Sequence, residues 1–279
     1  MDFSDFASEA LARRGVRRRW EVLCGHKTHL IEAGSGPATL LWFPAVGDAV
    51  SSFGPVLITL AERLKGTARV MAADPPGYGS SPLPPGTTLP TFGELMAWAE
   101  AIPSTAPGPW VLAGNSSGGV YAAAAATSGG AAAAGLLLVG WANWGIMDHP
   151  EFDLLCPADR AGLDRLLART WHKPPPMREA LARSLLERLG DPGYKRHVSS
   201  FDKNDFAARL EHFQGPVAFI GGARDGLVPP ELIEASATSR KGAKSRLLEE
   251  CGHYPHRERP AQFASVLEEL ARWCLSDRP

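Results

Sequence analysis

The stretch that decides the fold is Gly114-Asn115-Ser116-Ser117-Gly118-Gly119. It follows an apolar run that predicts a strand, Trp110 to Ala113, and precedes an alanine-rich run that predicts a helix, Ser117 to Thr127. A G-x-S-x-G pattern between a strand and a helix is typical of a sharp turn that lifts a serine hydroxyl above the edge of a sheet. The new helix adds a free main-chain N–H and a positive dipole end beside that hydroxyl. We therefore interpret Ser116 as a candidate nucleophile.

Apolar runs alternate with helical patterns on both sides of this turn. A strand, a helix and another strand in succession imply parallel strands joined by right-handed crossovers. The first two strands, around Gly25-His26-Lys27, indicate a hairpin. Strands are predicted over residues 21–23, 28–32, 38–43, 68–73, 110–113, 136–139, 217–220 and 245–249. Helices outside the central segment are predicted over residues 52–65, 92–102, 117–127 and 260–275.

The alternation stops in the segment from residue 144 to residue 207. Helical patterns at 158–170 and 178–189 are separated there by Lys173-Pro174-Pro175-Pro176 and Asp191-Pro192-Gly193, with no pattern of a buried strand. A helical insertion between two parts of one parallel sheet predicts a cap, or lid. We expect residues 1–143 and 208–279 to form the core and residues 144–207 to form the cap.

Two further candidate residues follow predicted strands. Asp225 lies in Gly221-Gly222-Ala223-Arg224-Asp225-Gly226, and His253 lies in Cys251-Gly252-His253-Tyr254. The carboxyl ends of parallel strands are where sheets of this kind place functional groups. In such an arrangement His253 takes the proton of Ser116, and Asp225 orients the imidazole and stabilises its charged form.

Two other stretches carry a resemblance to a known family. Asp74-Pro75-Pro76-Gly77-Tyr78-Gly79-Ser80-Ser81 is similar to the D-x-x-G-x-G-x-S segment of the α/β-hydrolase superfamily. Gly252-His253 with Glu258-Arg259-Pro260 resembles its G-H-x-x-x-x-E-x-P ending. The resemblance runs from about residue 20 to residue 273. It implies a serine hydrolase with an α/β fold: a mainly parallel eight-stranded sheet flanked by helices, and a helical cap inserted after the sixth strand.

The resemblance also implies a catalytic triad of Ser116, Asp225 and His253, in the chain order of that superfamily. It implies neither a metal ion nor an organic cofactor. Some members carry the acid after the sixth strand, so Asp148 is an alternative to Asp225. The remaining histidines show no spacing typical of metal ligands.

The oxyanion loop departs from the common pattern. Many members carry His-Gly-x after the third strand, where x donates a main-chain N–H to the oxyanion. This chain has Phe43-Pro44-Ala45-Val46-Gly47-Asp48 instead. We expect the N–H groups of Val46 and Ser117 to form the oxyanion hole, with Ala45 as the alternative to Val46. Because these donors belong to the main chain, the change of side chains does not abolish the hole.

The expected reaction is hydrolysis of an ester or thioester through an acyl-enzyme. An apolar cap that carries tryptophan favours a medium-sized hydrophobic acyl group, free or linked to a carrier. The Phe-Pro opening is similar to stand-alone thioesterases that serve polyketide and nonribosomal peptide assembly lines. The Gly-Asn-Ser turn is similar to hydrolases that cleave carbon–carbon bonds in ring-fission products. Expected pocket residues are Ala45, Asn115, Trp141, Trp144 and Trp171.

Three alternatives to ester or thioester hydrolysis stay open at this point. One is hydrolysis of a carbon–carbon bond in a ring-fission diketone. Another is cyclisation, in which a hydroxyl of the substrate replaces water. The third lies outside catalysis: a receptor that keeps the fold and binds a small molecule.

The composition and the net charge limit the kinds of partner that are expected. A formal net charge of −1 gives no reason to expect nucleic acid. No apolar run is long enough for a membrane span or a signal peptide, and four dispersed cysteines form no CxxC pair, which together favour a cytoplasmic protein. The sequence leaves the oligomeric state open.

Five arginines lie close together near the N-terminus: Arg13, Arg14, Arg17, Arg18 and Arg19. We interpret this basic run as a solvated helix end before an edge strand, or as a docking patch for an acidic or phosphate-bearing partner.

Overall fold

A computed structural model describes residues 11–129, 132–141, 152–176, 178–201 and 203–276. Eight strands form one sheet in the order β1-β2-β4-β3-β5-β6-β7-β8. Strand β2 pairs antiparallel with both β1 and β4, and every other pairing is parallel. The strands are β1 (Arg17–Leu23), β2 (His26–Gly34), β3 (Ala38–Phe43), β4 (Ala68–Ala73), β5 (Trp110–Asn115), β6 (Ala133–Val139), β7 (Val217–Gly222) and β8 (Lys244–Leu248). The predicted mainly parallel, eight-stranded sheet is confirmed.

Helices flank the sheet on both faces. They are α1 (Gly54–Arg63), α2 (Phe92–Ala101), α3 (Ser117–Thr127), α4 (Arg160–Thr170), α5 (Glu179–Gly190), α6 (Pro192–Ser199), α7 (Lys203–His212), α8 (Pro230–Thr238), α9 (Pro255–Glu258) and α10 (Pro260–Leu275). Three 3₁₀ turns lie at Val50–Phe53, Ile102–Thr105 and Phe152–Leu155. The sequence patterns missed α6, α7, α8 and the short α9.

Local chemistry explains where several of these helices begin. Thr91 and Glu94 form a reciprocal capping box at the start of α2. Asp159 accepts a hydrogen bond from the Gly162 N–H at the start of α4, and Asp191 caps α6 in the same way. Each cap satisfies main-chain donors that the first helical turn leaves unpaired. These helices are therefore fixed at one end before any packing is considered.

Two apolar cores lie on opposite faces of the sheet. One holds side chains of α2, α3, α7 and α8, and the other holds side chains of α1 and α10. Every residue of β3 is buried, because β4 and β5 pair with its two edges and its side chains enter the two cores on alternate faces of the sheet. This explains why its sequence is almost continuously apolar.

A third and smaller apolar cluster belongs to the segment between β6 and β7. Its buried members come from α4, α5 and α6, including Leu163, Leu189 and Tyr194. In contrast, Phe206 and Leu210 of α7 are buried in the core that also holds side chains of α2, α3 and α8. The expected cap boundary at residue 207 therefore falls inside a helix that packs on the core. We keep the cap itself as a proposal.

Candidate active site

Ser116 occupies the turn between β5 and α3. Its backbone has φ 53° and ψ −120°, a left-handed conformation that is costly for any residue with a Cβ atom. The neighbouring glycines have no substitute at this turn. A Cβ atom on Gly114 would lie 2.0 Å from the Gly118 oxygen, and one on Gly118 would lie 2.2 Å from the Phe43 oxygen. The G-x-S-x-G pattern thus follows from close main-chain packing around a single strained residue.

His253 and Asp225 form a buried pair at the ends of neighbouring strands. The Asp225 Oδ2 atom lies 2.7 Å from His253 Nδ1. The other oxygen, Oδ1, accepts main-chain N–H groups of Leu227 and Val228, each at 2.9 Å. Because a carboxylate only accepts, Nδ1 carries the proton and Nε2 presents a lone pair. The imidazole is therefore oriented with one basic nitrogen free.

Ser116 and His253 line the same cavity. Within the described residues no hydrogen bond joins the Ser116 hydroxyl to the imidazole. Hydrogen bonds between catalytic groups are often long before substrate binds and shorten in the complex. The structure thus brings the three predicted triad residues to one place, with the serine–histidine contact still open.

Asn115 does not line the cavity, although the sequence analysis expected it there. Its side chain is fully buried, and its amide nitrogen donates to the main-chain oxygens of Val139 at 3.1 Å and His253 at 3.0 Å. The residue before Ser116 therefore holds the loop that carries His253. The amide oxygen of Asn115 has no hydrogen-bond partner among the described residues.

The oxyanion loop lies beside the start of α3. The Val46 N–H donates to the Ser117 hydroxyl at 2.6 Å, so the donor expected to bind an oxyanion is engaged by a side chain. The Ala45 N–H donates no hydrogen bond within the described part of the chain. Ala45, Val46 and Ser117 all line the cavity. The geometry thus offers Ala45 and Ser117 as unengaged main-chain donors, and Val46 as one that must change partner.

The cavity has a volume of about 360 Å³. Its walls are mainly apolar, and α4, α5 and α6 contribute a group of leucines to them together with Tyr194 and Val198. Trp141 and Trp171 line it as expected; Trp141 lies against Phe206 with ring centroids 3.8 Å apart. Trp144 and the alternative acid Asp148 lie outside the described residues.

The end of α4 is joined directly to the loops that carry Asp225 and His253. The Thr170 oxygen accepts the His253 N–H at 2.6 Å, and the Arg169 oxygen accepts the Gly226 N–H at 2.8 Å. Glu258 adds a bridge, since its two oxygens accept the N–H groups of Gly252 and His172, each at 2.9 Å. The segment between β6 and β7 is therefore part of the support of the imidazole.

The sequence analysis missed a second polar cluster at the cavity, which centres on Asp48. Asp48 is buried, and its carboxylate contacts Arg257 Nη2 at 2.5 Å and His256 Nε2 at 2.9 Å. Burial raises the pKa of Asp48, but the hydrogen bond and charge of His256 and the charge of Arg257 outweigh burial and hold that pKa well below its usual range. The carboxyl is thus ionised. No motif signals this cluster, because Asp48 and His256 are 208 positions apart.

Asp74 of the D-x-x-G-x-G-x-S segment forms a further buried pair with a histidine. Its Oδ2 atom lies 2.8 Å from His29 Nδ1, and its two oxygens also accept the N–H groups of Val50 and Ser80. His29 Nε2 accepts a hydrogen bond from Arg18 at 3.2 Å. This pair does not line the cavity.

The basic run at residues 13–19 is partly neutralised. Arg17 and Arg19 contact Glu32 at 2.8 Å and 3.6 Å. Arg18 contacts His29, while Arg13 and Arg14 are exposed. The run ends in β1, which is an edge strand of the sheet. The interpretation as a helix end before an edge strand fits this placement.

The described residues include no helix with the length and apolar character that a membrane crossing requires. Nor do they bring three or more His, Cys, Asp or Glu side chains together as a metal ion would need.

Comparison with known proteins identifies the family. The sequence pattern of the alpha/beta hydrolase family matches residues 34–266, which is most of the chain. The chain therefore belongs to this family, and the predicted family, fold and enzyme class, a hydrolase, are confirmed.

The chain is also similar to individual proteins. A pimeloyl-[acyl-carrier protein] methyl ester esterase of Aromatoleum aromaticum (strain DSM 19018 / LMG 30748 / EbN1) is 34% identical over 68 residues, 24% of this chain and 27% of that protein. The chain thus matches only about a quarter of that relative's length.

Solved structures resemble this one over nearly the whole chain. A putative lipase of Acinetobacter baumannii AYE has a TM-score of 0.78 at 19% identity, covering 98% of this chain and 97% of that one. The meta-cleavage product hydrolase of Pseudomonas fluorescens IP01 has a TM-score of 0.71 at 18% identity, covering 91% and 97%. At these identities the likeness establishes the fold. Because proteins named for different reactions share it, the fold alone does not select the reaction.

Proposed function

We propose that this hydrolase cleaves an ester or thioester of a medium-sized apolar acyl group, free or carried on a larger molecule. The observation that carries the proposal is the free Nε2 of His253, oriented by Asp225 in the cavity that also exposes Ser116. A strained serine next to an oriented base is the arrangement that nucleophilic catalysis requires. The similarity to a methyl ester esterase over 68 residues supports the same class of bond.

The reaction has two halves. His253 Nε2 takes the proton of Ser116 while the serine oxygen attacks the carbonyl carbon, and Asp225 stabilises the imidazolium. The imidazolium then protonates the leaving alcohol or thiol, which departs as the C–O or C–S bond breaks. In the second half His253 takes a proton from water, the hydroxide oxygen attacks the acyl-enzyme, and the acid leaves as Ser116 regains its proton.

Main-chain donors stabilise the oxyanion in both halves. Ser117 opens α3, so its N–H has no partner within the helix and lies at the positive end of the helix dipole. The second donor comes from the loop that holds Ala45 and Val46. Ala45 is the better placed of the two, because the Val46 N–H already donates to the Ser117 hydroxyl.

The cavity sets the size and polarity of the acyl group. A volume of about 360 Å³ lies near the lower end of the range of small-molecule pockets, about 300–1,000 Å³. Leucines of α4 and α5 form much of its wall, including Leu163, Leu167 and Leu185. A short to medium alkyl chain would bury its surface there, while a charged chain would lose its hydration without a partner.

A fluorophosphonate probe tests the proposal. Wild type is expected to be labelled, Ser116→Ala is expected not to be, and Ser104→Ala, which removes an exposed hydroxyl, serves as the control. Absence of labelling in wild type, or labelling that survives Ser116→Ala, overturns the assignment.

A panel of p-nitrophenyl esters and acyl thioesters, from acetyl to dodecanoyl, then measures kcat/KM against chain length. A maximum at intermediate length is expected. Turnover of ring-fission diketones without turnover of any ester would overturn the choice of bond.

A further inference from the structure

One part of the cavity wall is polar, whereas most of the rest is apolar. The polar wall carries Asp48, Tyr254 and Arg257. Arg257 is the one lysine or arginine among the described residues that line the cavity. Its side chain is 41% exposed. It therefore lies where the cavity meets solvent.

The Asp48 carboxylate has no acceptor capacity left for a ligand. Its Oδ1 atom accepts the Ala49 N–H at 2.8 Å and Arg257 Nη2 at 2.5 Å. Its Oδ2 atom accepts the Ser52 hydroxyl and His256 Nε2, each at 2.9 Å. A carboxylate has about four lone-pair positions, and each oxygen of Asp48 already has two close donors, although the Ser52 hydroxyl shares its single proton with the Ala49 oxygen at 2.8 Å. This acid stabilises its neighbours and offers nothing to the cavity.

Arg257, in contrast, has hydrogen-bond donors that are not in use. A guanidinium carries five N–H donors, and the contact with Asp48 uses one nitrogen. Within the described residues the other nitrogens have no acceptor. The contact with Asp48 fixes the direction of the side chain, so little conformational entropy is lost when a second partner binds. The polar wall therefore presents unused, charged hydrogen-bond donors.

The position of Arg257 selects one side of the substrate. It follows His253 by four residues and lies in α9, directly after the loop that carries the base. His253 protonates the leaving group in the proposed reaction, so we expect the leaving group to be directed toward the part of the cavity that holds both His253 and Arg257. The acyl chain is directed to the apolar walls, where a charge would be costly.

We propose that Arg257 binds an anionic group, a carboxylate or a phosphate, on the alcohol or thiol part of the substrate. This rests on the proposed hydrolysis and adds the substrate class to it: an apolar acyl group joined to an anionic leaving group. Because Arg257 lies in the helix that follows the His253 loop and carries its charge at the end of a long side chain, the anion is expected several bonds from the scissile carbonyl.

Matched esters test the proposal. The probes are the hexanoate esters of 4-hydroxybutanamide, which is neutral, and of 4-hydroxybutanoate and 3-hydroxypropyl phosphate, which are anionic. In wild type the better anionic ester is expected to exceed the amide in kcat/KM on the order of 10-fold, the size of effect that one charged hydrogen bond gives. Which of the two anionic esters is hydrolysed faster shows whether the bound group is a carboxylate or a phosphate.

Variants locate the effect. Arg257→Gln is expected to bring the anionic-to-neutral ratio near one. Arg257→Lys keeps the charge without the planar fork and is expected to give an intermediate ratio, which keeps the test valid if Arg257→Gln folds poorly. Arg13→Gln removes the same charge from an exposed position outside the cavity and is expected to keep the wild-type ratio.

The outcomes separate the two proposals. A ratio near one in wild type, with the amide ester hydrolysed, overturns the role of Arg257 and leaves the hydrolase assignment standing. A high ratio that survives Arg257→Gln overturns the role of Arg257 as well. No hydrolysis of any ester overturns both.

Discussion

Two histidine–aspartate pairs in this protein have nearly the same geometry and different surroundings. His253 and Asp225 are joined by 2.7 Å, and His29 and Asp74 by 2.8 Å. All four side chains are buried. In the first pair Nε2 of the histidine has no hydrogen-bond partner among the described residues and lies at the cavity. In the second pair Arg18 occupies that nitrogen.

The second pair even has a serine at hand. The Ser81 hydroxyl accepts the main-chain N–H of His29 and donates to the main-chain oxygen of Asp74, each at 2.8 Å. The serine, the histidine and the aspartate of this second cluster thus already have hydrogen-bond partners. Since a base must have a free lone pair and access to substrate, the comparison teaches that a short histidine–aspartate contact alone does not make a catalytic site. We interpret the His29–Asp74 pair as a structural contact that holds the loop after β4 in place.

Exchange of each aspartate for asparagine is the strongest way to break this comparison. Asp225→Asn is expected to lower kcat by about 10⁴-fold with little change in melting temperature, because the amide favours the wrong tautomer of His253. Asp74→Asn is expected to lower the free energy of unfolding by about 2 kcal/mol, because it weakens a buried cluster of hydrogen bonds, with far less loss of activity per folded molecule.

Steady-state kinetics and urea unfolding measure the two effects. Equal losses of kcat in the two variants would contradict the distinction. Full activity in Asp225→Asn would instead shift the role of the acid to Asp148.

Glu258 offers a sharper test of how the first pair is supported. Glu258→Gln keeps the shape of the side chain but has one acceptor oxygen for two N–H groups, those of Gly252 and His172. We expect kcat to fall about 10-fold through displacement of His253, less than the 10²-fold typical of a 1 Å misplacement. A shift in the pH profile of kcat/KM would accompany it if the imidazole moves.

Glu250→Gln is the matched control, because it removes a carboxylate whose partner, Arg259, lies outside the cavity. A melting temperature that falls with no change in kcat would assign Glu258 to stability alone.

Stability at mild acidity probes the third pair, Asp48 and His256. Burial lowers the pKa of His256, with the hydrogen bond and charge of Asp48 opposing that shift. The unfolded chain therefore binds more protons than the folded one below pH ~6.5, so stability is present above that pH and is lost as the pH falls.

We expect about 1 kcal/mol of the free energy of unfolding to disappear between pH 7 and pH 5.5 on account of this group, measured by urea unfolding. His256→Gln should make the dependence shallower, and His212→Gln, at an exposed position, should not. A dependence that His256→Gln leaves intact would locate the effect elsewhere, for instance at His197, whose pKa burial also lowers.

The smallest expected effect decides between the two candidate oxyanion donors. In Ser117→Ala the Val46 N–H loses its partner. If Ala45 is the donor, as proposed, the loop is less firmly held and kcat falls a few-fold, by the worth of one hydrogen bond of about 1 kcal/mol. An increase in kcat would favour Val46, because the variant frees its N–H for the oxyanion.

Much of the core could be predicted from the sequence. Strands buried on both faces of a parallel sheet are continuously apolar, and the bounds of β3 and β4 follow directly from that pattern. The short helices α6 and α8 were missed because each opens on a proline that reads as a break rather than as a first helical residue.

The site was predictable where it follows strand ends, and not where it depends on pairs distant in sequence. The sequence pattern predicts that Ser116, Asp225 and His253 follow the carboxyl ends of strands. It does not tell that Asn115 turns away from the cavity to hold the His253 loop, or that Asp48 meets His256 across 208 positions. Those contacts follow from tertiary packing, which leaves no periodic signal in the chain.

The backbone of Ser116 has a consequence for how this protein can change over time. A non-glycine residue at φ 53° costs the fold roughly 1–3 kcal/mol, and glycine adopts such angles without that penalty. Ser116→Gly is therefore expected to be inactive yet more stable than Ser116→Ala by about 1 kcal/mol, which calorimetry can measure. With Ser116 as the proposed nucleophile, selection for a longer-lived fold and selection for turnover would act on this one position in opposite directions.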